Sequence, residues 1–304
     1  EAAQAIIIQE VTAMMIRLFS GQWTGPIFER VLRNMLIPLM AAGKSLGALA
    51  YLWHEKDFRD ECLSELPETG SRNIRVHIFW KEEFPSWKGE EYSMMESYVT
   101  SKFDRIINGP AAKILCHQKS PLHISKVMQD QGVLLAKLPV GSLGELGAYM
   151  VGTVLAYKVR QATQARATLS PADRKPFFFI IDEFHRFVGS GGLSYTQGED
   201  VAFTSLLSEA RKFKVGIVLA NQYVHQLGQG VRNAVFGNVQ SRICFAVSRE
   251  DAEYLSAQFA SSLKREDFQH LPKYHAYAQL LVNNETLPPF MVKTMPPGPV
   301  GAKR

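Results

Sequence analysis

Cysteine is scarce in this 304-residue chain, which has three, far apart in the sequence at Cys62, Cys116 and Cys244. An odd number of widely spaced cysteines excludes a disulfide framework and a zinc ribbon and favours a reducing compartment. The excess of one charge sign is also small, because 34 basic and 29 acidic residues give a formal net charge of +5. That excess permits a polyanionic partner without requiring one. With 46% apolar and 21% charged residues, the composition predicts a globular protein and excludes a fibre or a disordered tail.

The chain also lacks an apolar run long enough to cross a membrane. Its most apolar stretch, residues 133–157, contains Lys137 and Glu145 as well as several glycines, which would place two charges inside a bilayer. We therefore expect no membrane contact from these residues and a cytoplasmic location. The sequence begins at Glu1, inside a helical pattern and without an initiator methionine. We expect it to be a piece of a longer protein, for which a place at the inner face of the cell membrane stays open.

Two patterns of apolar residues divide the chain. Up to about residue 130 the spacing is three and four, as in Phe28, Leu32 and Met35, which predicts an all-helical subdomain over residues 1–130. Beyond it, short continuous apolar runs alternate with helical segments, and such runs are typical of parallel strands buried on both faces. We therefore predict an α/β domain with a mostly parallel sheet over residues 131–304. The predicted strands are 133–138, 177–181, 215–220, 243–247 and 277–282, with helices over 144–164 and 200–213.

Two carboxylates follow the strand predicted over residues 177–181. Asp182 and Glu183 stand at its carboxyl end, where open α/β sheets bind their ligands. In nucleotide-hydrolysing enzymes with this pattern, the first carboxylate holds Mg²⁺, usually through water, and the second polarises the water that attacks the γ-phosphate. We assign these roles to Asp182 and Glu183, respectively. The alternative is a strand that ends in a solvated acidic turn.

Polar residues also close the next predicted strand. Gln222 follows residues 215–220, and an amide there can hydrogen-bond the attacking water or the γ-phosphate, so Gln222 is the candidate sensor. Arg211 ends the helix before this strand. A short right-handed connection would place it away from the strand tips, where it could act in trans on a neighbour's nucleotide. The alternative for Arg211 is a cation that stabilises the carboxyl end of a helix.

The chain contains a Gly-Lys-Ser sequence, but it does not form a phosphate-binding loop. Residues 38–45 end in Gly43, Lys44 and Ser45, but Pro38 occupies the first glycine position and an amphipathic helix precedes it. Backbone N–H groups would not converge on a phosphate there, so we reject Lys44 as a phosphate-binding lysine. The 304 residues contain no other Gly-Lys-Ser/Thr, and we expect the nucleotide loop upstream of Glu1.

Five motifs in order carry a resemblance to a known family. They are residues 24–34 (TGPIFERVLRN), 133–144 (VLLAKLPVGSLG), 179–184 (FIIDEF), 209–212 (EARK) and 219–222 (LANQ). The set resembles the HerA/FtsK superfamily of RecA-like DNA-translocating ATPases, and within it the type IV secretion and conjugative coupling proteins of the TraG/TraD kind. This resemblance implies a partial RecA-like P-loop NTPase sheet with an inserted helical domain, a homohexamer that moves DNA, and ATP with Mg²⁺ as cofactors.

The resemblance also implies roles for single residues. Asp182 and Glu183 match the Walker B pair, Gln222 the sensor and Arg211 the arginine finger of that superfamily. The chain departs from the family pattern because it lacks the Walker A loop and an N-terminal membrane anchor. We therefore expect ATP hydrolysis by the full-length protein and none by these 304 residues alone.

Candidates for DNA contact lie in two places. The stretch 158–175 is rich in lysine and arginine, and Arg186, Ser190 and Tyr195 lie in a Gly/Ser-rich segment after the strand with the acidic pair. In a ring, loops after the strands can face the pore, where cations and backbone amides hold phosphates without reading sequence. The alternative is a solvated helix end followed by a surface loop.

Two other interpretations need weighing. Residues 182–185 spell a DExH box, but the chain lacks the Ser-Ala-Thr and second-lobe arginine motifs of two-lobed helicases, so we interpret His185 as an ordinary turn residue.

From a different class, the chain could be a non-hydrolysing interaction module whose helical part docks a relaxase or a secretion-channel subunit. A Gly-x-x-x-x-Gly-Lys-Ser/Thr sequence upstream of Glu1 favours the motor, and its absence favours the module.

Overall fold

The computed structural model describes residues 2–19, 25–117, 122–187, 201–259 and 263–296. These residues form two compact units, of which the first extends to Ala162 and the second begins at Thr163. The domain boundary predicted between residues 130 and 131 does not coincide with this division. It stays a prediction about the domains of the whole protein.

The first unit is built from helices. Its described helices are α1 (Ala2–Leu18), α2 (Pro26–Ala41), α3 (Leu49–His54), α4 (Lys56–Ser64), α5 (Ser71–Ile78), α6 (Phe84–Ser86), α7 (Glu90–Ile107), α8 (Ala112–Leu115) and α9 (Ile124–Gln129). In α2, Pro26 occupies the first turn, where its missing N–H has no cost. Phe28, Leu32 and Met35 of α2 are fully buried at spacings of four and three. Every regular element described up to residue 129 is helical, which confirms the predicted helical subdomain.

Aromatic side chains fill much of the core of the first unit. The rings of Trp53 and Phe84 meet edge to face with their centroids 5.2 Å apart, and Trp80 lies 4.7 Å from Phe84. Trp87 packs against the same group and is buried. Ring pairs of this kind contribute about 0.5–1.5 kcal/mol beyond the burial of their area.

Helix α10 (Val140–Ala165) is interrupted at Gly144. The φ of this glycine is 69°, in the left-handed region that residues with a Cβ avoid. Ahead of α10, residues 132–139 form no regular structure, and Val133 and Leu135 are 86% and 90% exposed. The strand predicted over residues 133–138 is therefore wrong for the described chain. No described strand pairs with this segment, and an apolar run becomes a strand only where a neighbour takes its backbone hydrogen bonds.

Two parallel strands organise the second unit. Strands β1 (Phe177–Ile181) and β2 (Val215–Leu219) pair in parallel, with Phe177 opposite Val215 and Ile181 opposite Leu219. Helix α11 (Val201–Glu209) and a 3₁₀ turn (Ala210–Phe213) connect them. This βαβ unit confirms the predicted α/β class with a parallel sheet.

One face of the β1–β2 pair is covered and the other is open. Phe179 and Ile181 pack with Phe203 of α11, whereas Phe178 and Ile180 are 67% and 68% exposed. The prediction that this strand is buried on both faces is therefore wrong within the described unit. The described helices cover a single face, although parallel sheets in complete domains are covered on both.

The rest of the second unit is antiparallel. Strands β3 (Arg242–Cys244), β4 (His275–Gln279) and β7 (Phe290–Lys293) form one sheet in that order, and β5 (Leu281–Val282) pairs with β6 (Glu285–Thr286). Helix α12 (Gln229–Asn238) precedes β3 in the sequence, and helices α13 (Arg249–Gln258) and α14 (Arg265–Gln269) lie between β3 and β4. The runs 243–247 and 277–282 were predicted as parallel strands, and that is wrong, because β3 and β4 are antiparallel neighbours. An apolar run carries no information on the direction of its partner.

Helix lengths bear on membrane insertion. Among the residues that the structure describes, no single helix is both long and apolar enough to cross a bilayer. Helix α2 and the following segment Leu46–His54 together are long and apolar enough, but they are bent by 119° relative to each other. Most apolar side chains of α2 are buried inside the first unit.

Candidate functional site

The carboxyl ends of β1 and β2 lie side by side. The parallel ladder continues one step past the strands, since Ala220 N–H donates to Ile181 O at 3.0 Å and Phe184 N–H donates to Ala220 O at 3.2 Å. Asp182 and Glu183 therefore leave β1 at the edge where Gln222 leaves β2. This is the juxtaposition that the order of the motifs predicts.

The side chains of Glu183 and Gln222 are in direct contact. Gln222 Nε2 donates to Glu183 Oε1 at 2.6 Å, and His185 Nδ1 lies 3.2 Å from the other oxygen, Oε2. The side chain of Glu183 is 23% exposed, so water competes for these bonds only in part. The carboxylate is thus hydrogen-bonded through Oε1 and lies close to an imidazole nitrogen through Oε2.

The backbone of Glu183 adopts a rare conformation. Its φ of 50° and ψ of 45° lie in the left-handed region, which costs a residue with a Cβ roughly 1–3 kcal/mol. Such conformations persist where surrounding bonds determine them, and here the ladder bond of Phe184 and the contacts of the carboxylate do so. The sharp turn directs the Glu183 side chain toward the tip of β2.

The carboxylate of Asp182 is exposed at the same edge. Its Oδ1 accepts the N–H of Glu183 at 3.0 Å, and no ion pair to Asp182 occurs within the described ranges. Mg²⁺ in nucleotide sites is commonly held by one or two carboxylates, with phosphate oxygens and waters as the other ligands. An exposed, unpaired carboxylate beside a second one fits that requirement. The described residues contain no group of three or more His, Cys, Asp or Glu that could hold a metal by themselves.

The loop after β2 is anchored by a residue that sequence reasoning missed. Asp251 is 1% exposed, and its carboxylate accepts the N–H groups of Val224 and His225, both at 3.0 Å. It is the third residue of α13, whose N-cap Ser248 accepts the Asp251 N–H at 3.3 Å. The Ser-x-x-Asp spacing signals a helix start, but the sequence does not reveal which loop the carboxylate holds.

We expect Asp251→Ala to lower the free energy of unfolding by about 2–4 kcal/mol, since two partly buried N–H groups lose a charged acceptor. The variant should also raise amide exchange in the segment 221–226. Denaturation followed by circular dichroism and hydrogen-exchange mass spectrometry measure the two effects. Glu253→Ala, at an exposed position of the same helix, is the control and should change neither. Unchanged stability and exchange in Asp251→Ala would show that the loop is held by other contacts.

Arg211 lies at the opposite edge of the sheet. It belongs to the 3₁₀ turn before β2, whereas Gln222 follows that strand, and five strand residues span about 16 Å. Arg211 Nη2 donates to Asn284 Oδ1 at 2.7 Å. Asn284 and Asn283 form the turn between β5 and β6, both with positive φ, as two-residue hairpin turns require. The structure thus places Arg211 away from the acidic pair of its own chain, as expected, and its role stays a prediction.

The structure describes some of the candidates for DNA contact and not others. Arg186 ends the 3₁₀ turn after Glu183 and is exposed, while Ser190 and Tyr195 lie outside the described residues. In the basic stretch, Arg166 is 4% exposed, and its Nη1 donates to the carbonyls of Lys175 and Phe213, both at 2.9 Å. Burial, together with a neighbouring arginine, lowers the pKa of Arg166. Arg166 therefore binds backbone carbonyls inside the unit.

The Gly-Lys-Ser sequence lies at the end of a helix. Helix α2 ends at Ala41, and the N–H of Lys44 donates to Leu39 O at 2.9 Å, which satisfies a terminal carbonyl of that helix. Lys44 Nζ lies 2.7 Å from Glu61 Oε1, and this contact raises the pKa of the lysine. The geometry agrees with the rejection of Lys44 as a phosphate-binding lysine.

Comparisons with known proteins place the fold. No protein-family model matches the chain, and no curated protein matches it by sequence. Among solved structures, the plasmid coupling protein TrwB in complex with the non-hydrolysable GTP analogue GDPNP superposes with a TM-score of 0.54 and 13% identity, covering 94% of this chain and 68% of that one. The chain has a TrwB-like fold.

Two further structures agree with this likeness. The unbound form of the conjugative coupling protein TrwB gives a TM-score of 0.54 at 12% identity, with 93% of this chain and 67% of that one covered. VirB4 of Thermoanaerobacter pseudethanolicus gives 0.52 at 13% identity, with 96% and 70% covered. The resemblance to conjugative and type IV secretion proteins is thus confirmed at the level of the fold.

Proposed function

We propose that the chain is part of an ATP-hydrolysing motor that moves DNA in conjugative transfer or type IV secretion. The observation that carries the proposal is the contact between Glu183 and Gln222 at the tips of two parallel strands, 2.6 Å between Oε1 and Nε2, with Asp182 exposed beside them. The TrwB-like fold supports it, since one TrwB structure holds a GTP analogue. Carboxylates and an amide at the carboxyl edge of a parallel sheet are the groups that nucleotide hydrolysis requires there.

Each residue of this edge has a distinct role in the proposal. Glu183 polarises the attacking water through its carboxylate, and Gln222 orients that water or contacts the γ-phosphate. Asp182 holds Mg²⁺ through water with its exposed carboxylate. Mg²⁺ held there would supply positive charge against the charge that develops on the phosphates. The bond between Glu183 and Gln222 keeps the two polar groups aimed at one point before the water arrives.

The nucleotide-binding loop of the motor lies, in this proposal, in a segment outside the 304 residues. The ammonium group of Lys44 pairs with the carboxylate of Glu61, and the sequence contains no second Gly-Lys-Ser/Thr. The open face of the β1–β2 pair, with Phe178 and Ile180 exposed, is an apolar surface that a complete parallel sheet covers with further helices. A segment with the loop and its helix would cover that face and bring phosphates to the acidic pair.

The proposed assembly is a homohexamer around DNA. Arg211 would then face the nucleotide of the neighbouring subunit from the opposite edge, and Arg186 would contact DNA phosphates from the loop after β1. A relaxase or a subunit of the secretion channel would dock on the helical unit.

The Mg²⁺ dependence of turnover tests the proposal. In the complete protein, we expect Asp182→Asn to raise the Mg²⁺ concentration for half-maximal DNA-stimulated ATP hydrolysis by about 10–100-fold, as when the water-mediated partner of a metal is removed. Asp60→Asn, at an exposed position in the helical unit, should behave as wild type. Absence of DNA-stimulated hydrolysis in the wild-type complete protein would instead support a non-hydrolysing interaction module.

A further inference from the structure

The imidazole of His185 is fixed by an amide at the tip of the neighbouring strand. Asn221 Nδ2 donates to Tyr223 O at 2.6 Å, which leaves Asn221 Oδ1 facing His185 Nδ1 at 2.5 Å. The opposite orientation of the amide would set Oδ1 against a carbonyl oxygen, and two acceptors repel each other. Because Oδ1 can only accept, His185 Nδ1 must carry the proton.

The same proton faces Glu183. His185 Nδ1 also lies 3.2 Å from Glu183 Oε2, within ion-pair distance, while its hydrogen-bond contact is with Asn221 Oδ1. The His185 side chain is 13% exposed, which limits the access of water to this bond. His185 follows Glu183 by two residues within the tight turn after β1, so the same turn places the Glu183 carboxylate and the His185 imidazole next to each other.

Two consecutive residues of the β2 tip therefore act on the two oxygens of one carboxylate. Gln222 bonds Oε1 directly, and Asn221 acts on Oε2 through His185. In the proposed mechanism, Gln222 turns to the water or to the γ-phosphate, which removes its bond to Oε1. The contact of His185 with Oε2 is independent of that movement, since the imidazole is held by Asn221, which bonds the Tyr223 carbonyl.

We propose that His185 and Asn221 are positioning residues that keep the Glu183 carboxylate in place when Gln222 leaves it for the nucleotide. Asn221 selects the Nδ1–H tautomer of His185, and this tautomer donates to Glu183 Oε2. The inference rests on the motor function proposed above and adds two residues to its machinery. Neither residue touches substrate, because both act through Glu183.

The tautomer can be measured on the 304-residue chain without nucleotide. At about pH 8.5, where free imidazole is neutral, long-range ¹H–¹⁵N spectra should show His185 as Nδ1–H, with its signals assigned by their loss in His185→Gln. Asn221→Ala should move His185 toward the Nε2–H form that neutral imidazole favours in water. An Nε2–H tautomer in the wild type, or no change in Asn221→Ala, would overturn the inference.

Kinetics of the complete motor test the positioning itself. We expect His185→Ala to lower kcat by about 10–100-fold with little change in the KM for ATP, because the base is misdirected while nucleotide contacts remain. His185→Asn should recover most of kcat, since the amide N–H of asparagine takes the place of Nδ1–H. His270→Ala, at an exposed histidine of α14's carboxyl end, should match wild type, and melting temperatures should confirm that all variants fold.

The outcomes separate this inference from the proposed function. If Glu183→Gln abolishes turnover while His185→Ala keeps wild-type kcat, the positioning inference is overturned and the motor stands. If Glu183→Gln itself leaves turnover intact, the motor mechanism fails, and the tautomer measurement still decides whether Asn221 controls His185. A loss in His185→Ala that His185→Asn does not reverse would contradict the role assigned to the N–H donor.

Discussion

Glu183→Gln in the complete motor should lower DNA-stimulated ATP hydrolysis by about 10²–10⁴-fold, the range for loss of a positioned general base. Glutamine has nearly the shape of glutamate, and its oxygen can still accept a bond from Gln222, but its amide cannot polarise water as a carboxylate does. ATP affinity should be close to that of the wild type, since Glu183 is assigned no contact to the phosphates. Steady-state hydrolysis and calorimetric titration with ATP measure the two quantities.

A matched control makes this test specific. Glu209→Gln changes a partly exposed carboxylate that pairs with Lys212 at 3.6 Å, in the same unit and away from the strand tips. It should leave turnover unchanged, because exposed ion pairs contribute little and the residue is assigned no chemistry. Unaltered turnover in Glu183→Gln, with both variants folded, would remove Glu183 from the role of base.

Arg211→Ala should produce the second large effect, a loss of roughly 10³–10⁵-fold in turnover of assembled rings, as for removal of an arginine finger. Arg211 lies at the edge of the sheet opposite to Glu183, so its chemistry requires a neighbouring subunit. Variant subunits mixed into wild-type rings should therefore inhibit more than in proportion to their fraction. Hydrolysis measured over a series of mixing ratios tests this dependence.

The competing interpretation of Arg211 predicts a different pattern. A cation at a helix end that also bonds Asn284 would contribute about 0.3–1 kcal/mol to stability and nothing to turnover. Lys212→Ala, which removes the adjacent cation and its pair with Glu209, shows the size of such a structural effect. Loss of activity in simple proportion to the variant fraction would contradict action in trans.

The tips of β1 and β2 could be predicted from sequence because the information there is local. The run 177–181 ends in two acids and the next run ends in two amides, and parallel strands bring their carboxyl ends to one edge. The contact between Glu183 and Gln222 follows from those facts and from the length of the side chains. The candidate site is thus the part of the chain where sequence reasoning reaches furthest.

Contacts between distant segments could not be predicted in the same way. Asp251 holds a loop 26 and 27 residues before it in the sequence, and His185 meets Asn221 over a separation of 36 residues. A single histidine or a helix-start aspartate has no pattern that names its partner. Arg166 lies in the basic stretch 158–175, and its hydrogen bonds to the carbonyls of Lys175 and Phe213 cannot be read from its sequence position either.

The errors in the strand predictions have a common cause. Apolar runs at 133–138 and 243–247 satisfy the composition of buried strands, but whether a strand forms and in which direction it pairs depends on the neighbouring backbone. The first run has no described partner, and the second meets β4 in antiparallel register. Composition therefore predicted the α/β class correctly and left the topology of the second sheet undetermined.

A structure of the complete protein with Mn²⁺ and a non-hydrolysable ATP analogue tests the central proposal most directly. Anomalous scattering locates the metal independently of the carboxylates. The expected result is a Mn²⁺ peak roughly 4–5 Å from the Asp182 carboxylate, one water away, with the γ-phosphate facing Glu183 and Gln222. A metal–nucleotide complex bound at another surface, with the tips of β1 and β2 facing solvent, would contradict it.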